Sequence, residues 1–159
     1  MQDFSLEGVG KINGGEYHTL NVKGVGTCTG DLKVDDIRVE GVFNCSGSLE
    51  ADYFSCEGVA DFKADIRAKK IDVEGVLNSK GGKIEADEIH CEGVIKASGE
   101  ISAEVLRAEG CINASEIVGD RIIISYYRTW SNFIRLFRKE RSHINMIEAT
   151  SIELSGVTA

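Results

Sequence analysis

The sequence predicts an all-β fold, a parallel β-solenoid with roughly 17 residues per turn, interrupted once by a short α-helix near residues 129–141. Three observations lead there. A glycine returns every 16 to 18 residues, at Gly8, Gly24, Gly41, Gly58, Gly75, Gly93 and Gly110, and again at Gly156. Between these glycines apolar and polar residues alternate, the period of a strand with one buried face. Proline is absent, as suits strands paired on both sides, because proline has no ladder donor.

The turns can be aligned without gaps in their strands. They read GVFNCSGSLEADYFSCE, GVADFKADIRAKKIDVE, GVLNSKGGKIEADEIHCE and GVIKASGEISAEVLRAE. One column is Leu32, Leu49, Ile66, Ile84, Ile101 and Ile117, and a second is Ile37, Phe54, Ile71, Ile89, Leu106 and Ile122. A third, two residues before the glycine, runs Leu6, Val22, Val39, Cys56, Val73, Cys91, Ala108, Ile124 and Leu154. These are the predicted core, with the small residues Val34, Ala51, Ala68, Ala86, Ala103 and Gly119 where a narrow coil has least room. The repeated glycine is expected at a corner that needs an unusual backbone angle. At about 4.8 Å per turn, seven turns make a rod of roughly 35 Å.

Composition narrows the function. The net charge of −8 disfavours general nucleic-acid binding, and no glycine-rich phosphate loop opens a helix. No apolar run reaches transmembrane length, and MQDFSLEGVG has no signal-peptide pattern, so the expected location is cytoplasmic. Cys56 and Cys91 are two turns apart, beyond disulfide reach. Cys28 and Cys45 share a column and read as packing, and Cys111, after Gly110, reads as core. Glu40, Glu57, Glu74, Glu92 and Glu109 stack immediately before the glycines, with Arg38, His90 and Arg107 beside them. This is either a solvated edge or a cation ladder, and the former fits better because the aspartate-rich turn of calcium-binding solenoids is missing. His18, His90 and His143 sit on unrelated parts of the coil and none neighbours a serine or cysteine in a nucleophile motif, so no catalytic residue, cofactor site, metal site or small-molecule substrate is expected.

The turn GV-x(3)-G-x-I-x-A-x-x-I-x-V-x-G, present over residues 8–125 and again at 147–157, resembles that of the bactofilins, polymer-forming cytoskeletal proteins. The resemblance implies a right-handed triangular β-helix that polymerises end to end without nucleotide. It implies a scaffold for cell shape, wall growth or motility, often at the inner face of the membrane. An uncapped solenoid leaves unpaired ladder groups at each end, and the first and last core residues, Phe4, Leu6, Ile152 and Leu154, are the candidate polymer interface. Two other classes fit a β-solenoid: a protein-binding module like the C-terminal β-helix of the division inhibitor MinC, and a hexapeptide acyltransferase. The latter repeats an aliphatic residue every six positions, whereas Leu49, Phe54, Val59 and Ile66 are unevenly spaced.

The period breaks once. Residues 1–125 read as solenoid turns, 126–146 as an insertion and 147–159 as the resumed strand. Within the insertion Trp130, Phe133, Ile134 and Phe137 form one helical stripe, and Arg128, Arg135, Arg138, Lys139 and Arg141 make it basic. With Glu140, residues 126–143 carry +4 against −12 elsewhere, which sum to the chain's −8. The segment is a candidate contact surface for the flank of a solenoid, for a membrane surface, or for another cytoskeletal or envelope protein.

Overall fold

A computed structural model describes residues 2–125 and 143–155, and among them there is strand, turn and loop but no helix. The coil starts with β1 (Gln2–Leu6) and β2 (Val9–Ile12), then β3 (Gly15–Val22) and β4 (Val25–Cys28). It climbs through β5 (Leu32–Val39), β6 (Val42–Cys45), β7 (Leu49–Cys56), β8 (Val59–Phe62), β9 (Ile66–Val73) and β10 (Val76–Ser79). It continues through β11 (Ile84–Cys91), β12 (Val94–Ala97), β13 (Glu100–Ala108) and the long β14 (Cys111–Ser125) to β15 (His143–Ser155). Every ladder is parallel and joins a strand to the one a turn away, giving the predicted β-solenoid. Long strands stack on long and short on short, and the two stacks meet in β14.

Each turn has three sides. The short strand is one, and the long strand bends into two: along β7, Leu49, Ala51, Phe54 and Cys56 are buried, whereas Asp52 and Tyr53 between them are not. The ladder skips this bend, since Val34 pairs with Ala51 and Asp36 with Tyr53 while Asp52 has no register partner. The three predicted core columns are buried throughout the interior turns. Phe62 sits edge-on to Phe43 at 5.7 Å and to Phe54 at 5.8 Å, so one ring fills the space between two walls of the coil.

The uneven period is absorbed in one place. Between short and long strand the loop has two residues at 13–14, three at 29–31 and four at 80–83, matching glycine spacings of 16, 17 and 18. Beyond β1, whose register slips by one between Gln2 and Asp3, the strand register holds from turn to turn. In two of these loops an aspartate spans the turns: Asp31 accepts from the Ser48 N–H and Asp65 from the Lys83 N–H, both at 2.8 Å.

Two expectations are corrected. The corner glycines do not need an unusual angle; among the described residues only Gly15, at the start of β3, has positive φ, at 146°. They are fixed by close approach instead. A Cβ on Gly58 would overlap the carbonyl oxygen of Gly41, and one on Gly75 that of Gly58. That carbonyl points along the rod because it accepts the N–H of the next turn's valine: Val59 N–H to Gly41 O and Val76 N–H to Gly58 O, both 2.9 Å. Except at Val94, which is buried, the side chain after the glycine points outward. Val9 is 86% exposed, Val25 40% and Val42 36%, and Cys111 is only half-buried rather than core. The fourth core wall is the residue after that valine: Phe43, Ala60, Leu77, Ile95 and Ile112.

Candidate functional site

The chemistry available to the molecule lies on its ends and its flanks. At the first turn, β1 pairs with β3 and β2 with β4, and their outer edges have no partner among the described residues. Phe4 and Leu6 stand in register with Leu20 and Val22. Leu20 and Val22 are fully buried, whereas Phe4 and Leu6 are only half-buried against the same core. Phe4 leans edge-on against Tyr17, with ring centres 6.1 Å apart. Among the described residues, this edge therefore offers both unpaired ladder groups and apolar side chains without an outer neighbour.

At the other end β15 pairs with β14 from Asn113–His143 to Ser125–Ser155. It takes in His143–Met146 as well as the repeat that resumes at Ile147. The backbone of Ile152 is in register with Ile122 and that of Leu154 with Ile124, which continues two core columns. The first and last turns are thus at opposite ends of one ladder, and the four candidate interface positions divide between them. The helix expected near 129–141 and the contact residues Trp130, Phe133, Ile134, Arg135, Phe137, Arg138 and Lys139 lie outside the described residues.

Along one flank a groove of about 550 Å³ follows the bend of the long strands. Ala51, Ala68, Ala86 and Ala103 form its floor, and charged residues of mixed sign form its rims. Its rims are tied across turns by Lys69–Asp52 at 3.2 Å and Arg67–Glu85 at 3.5 Å, exposed pairs worth little each. Mixed charge over an open alanine floor gives no convergent polar set for a small ligand.

The glutamates before the glycines are exposed, as a solvated edge requires. On their inner side the face holds a small concavity of about 220 Å³, with Arg38, Tyr53, Ser55 and Asp72 among its walls. At one point this edge is more than a row of carboxylates. His90 Nε2 lies 3.9 Å from Glu92 Oε1 and His90 Nδ1 lies 3.7 Å from Asp72 Oδ1. One ligand atom each from His90, Glu92 and Glu109 falls within 4.8 Å of the others. The glutamate row and the neighbouring histidine are visible in the sequence. The approach of Glu109 from the next turn follows only from the ladder register.

Cysteine chemistry is suppressed. None of the five cysteines is in a disulfide, and burial pushes Cys56 and Cys91 up to about 12. Cys45 is also pushed up to about 12, first by burial and next by the neighbouring Cys28. Such thiols stay protonated at neutral pH and are poor nucleophiles. His18 Nδ1–H donates to Asp35 Oδ2 at 2.8 Å on the exposed bend. No helix among the described residues is long and apolar enough to cross a membrane.

Comparison with known proteins finds no matching family model, no curated protein and no solved structure similar to this chain.

Proposed function

We propose that this chain is a non-enzymatic scaffold subunit that stacks end to end on copies of itself, as the bactofilins its repeat resembles do, without a bound nucleotide. The first turn carries the reading. Phe4 and Leu6 occupy the same columns as Leu20 and Val22, but among the described residues no outer turn covers them, and they are only half-buried where Leu20 and Val22 are buried completely. A second copy would supply that turn, adding main-chain hydrogen bonds along β1 and β2 and covering both side chains. Ile152 and Leu154 continue the columns at the far end. The exposed glutamate edge and a net charge of −8 favour axial over lateral association, because acidic flanks repel one another.

In this reading the scaffold works in the cytoplasm at the inner face of the membrane. The basic segment with Trp130, Phe133, Ile134, Phe137, Arg135, Arg138 and Lys139 makes the contact with lipid or with an envelope protein. That part rests on the sequence and on the bactofilin resemblance.

Purified protein, free of ATP and GTP, should sediment as large species and form thin filaments by electron microscopy. Phe4→Asp and Leu154→Asp should each shorten them, because a charge would be buried unpaired at the junction. A chain that stays monomeric at high concentration with both ends intact would overturn self-assembly and favour the protein-binding module.

A further inference from the structure

We propose that His90, Glu92 and Glu109 form a binding site for a first-row divalent ion of the zinc type, with Asp72 orienting the imidazole. The ligand set suits such an ion: one borderline nitrogen and two carboxylates leave a fourth position for water. For bonds of about 2.1 Å, ligand atoms in a tetrahedron lie about 3.4 Å apart. The distance of 3.9 Å from His90 Nε2 to Glu92 Oε1, and the 4.8 Å limit on the whole trio, are reached from that geometry by small side-chain rotations.

Asp72 lies behind the imidazole, on the side away from the two glutamates. Its Oδ1 is inaccessible to solvent and has no hydrogen-bond partner, a costly state for a carboxylate oxygen. It faces His90 Nδ1 at 3.7 Å. A small closure lets Nδ1–H donate to Asp72, which leaves Nε2 unprotonated and turned toward Glu92 and Glu109. This is the carboxylate–histidine–metal arrangement in which an outer carboxylate fixes the tautomer of the ligand.

The backbone beneath the site is fixed in advance. Glu92 N–H donates to Val73 O at 2.8 Å and Glu109 N–H to Cys91 O at 2.7 Å, in the glycine corners of successive turns. Both carboxylates therefore project from backbone already tied to the preceding turn, and only side-chain torsions must be ordered on binding. Asp72, His90 and Arg107 are successive residues of one ladder column, so Arg107 is the opposing charge on the far side of the imidazole. In the corresponding column other turns carry Arg38 and Ser55, so the Asp–His pair belongs to this turn alone among its neighbours. The ion would clip two consecutive turns together through Glu92 and Glu109.

The test is equilibrium dialysis of the full chain against Zn²⁺, which reads subunits and filaments alike, with Co²⁺ absorption as the coordination probe. One ion per chain should bind, with a Co²⁺ spectrum of nitrogen and oxygen donors and no thiolate band. His90→Gln and Glu109→Gln should each abolish saturable binding. Asp72→Asn should weaken it about 10-fold or more, as expected for an outer-sphere partner, and Arg107→Gln should tighten it. These side chains lie at the surface or half-buried, and circular dichroism checks that each variant keeps its strand signal. Zn²⁺ binding unchanged by His90→Gln and Glu109→Gln, or a thiolate band placing the ion on the cysteines, overturns the site. So does Ca²⁺ binding equal to Zn²⁺ and indifferent to His90, which would make the edge a diffuse counterion row.

Discussion

Two corners of the coil obey opposite rules. At the corner before each short strand the sequence is fixed, with glycine at 24, 41, 58, 75, 93 and 110. At the bend within each long strand the stacked residues are Asp35, Asp52, Lys69, Asp87, Glu104 and Asp120, which change sign without disturbing the register on either side. The backbone explains the contrast. At the first corner each carbonyl points up the rod at the next glycine, so no Cβ fits. At the second the side chains point into solvent and the ladder skips the residue. Invariance in this repeat reports backbone contact, and variability marks where the surface is free to acquire chemistry.

The largest effect should come from exchanging small changes between those corners. Gly58→Ala sets a methyl against backbone oxygens of Gly41 and Glu40, which cannot swing aside as a side chain can. The turn must part, at a cost of about 3 kcal/mol or more. Because each turn contacts only its neighbours, the damage should also uncouple the halves and broaden the unfolding transition. Lys69→Ala removes much more of a side chain and one exposed pair with Asp52, yet should change stability by less than about 0.5 kcal/mol. Urea unfolding of both variants decides the matter; similar midpoints would dissolve the distinction.

That contrast shows what the sequence could and could not tell. The long-strand columns were readable because Leu49, Ile66 and Ile84 stack at a constant phase with buried neighbours on both sides. Cys111 was misread as core because the inward column of the short strand mixes Gly26, Phe43, Ala60 and Leu77, while the position after the glycine is valine in those same turns. A β-branched residue suits the strand just past a corner even when exposed, so hydrophobicity alone gave the wrong phase. The glycine column was visible, but its cause lies in a carbonyl direction that no residue type encodes. For the candidate cation site, Glu92 and Glu109 were legible as a row. The burial of Asp72 Oδ1 and its facing of His90 depend on how side chains settle between turns.

The interior sharpens the comparison at intermediate size. Ile66 is fully buried between Leu49 and Ile84, so Ile66→Ala should cost about 2–5 kcal/mol through lost burial and a residual cavity. Glu74→Ala, on the exposed edge one position before Gly75, should stay within about 0.5 kcal/mol. If Glu74→Ala proves as damaging as Ile66→Ala, the edge carries structure that its exposure does not suggest.

The smallest effect belongs to the variable bend itself, where His18 meets Asp35 at 2.8 Å on consecutive turns. The hydrogen bond that His18 donates to Asp35 raises the His18 pKa above its ordinary value, and the charge of Asp3 raises it further. A group whose folded pKa is raised stabilises the protein in its protonated form. The contribution is therefore complete below the unfolded value of about 6.5 and disappears as pH rises through the folded value. Both groups are exposed, so the change should be slight and weakened by salt. Asp35→Asn should lower the melting temperature relative to the parent at about pH 5.5 and leave it unchanged at about pH 9, where the imidazole is neutral in both states. A difference that persists at the alkaline end would mean that Asp35 supports the bend through its backbone rather than through His18.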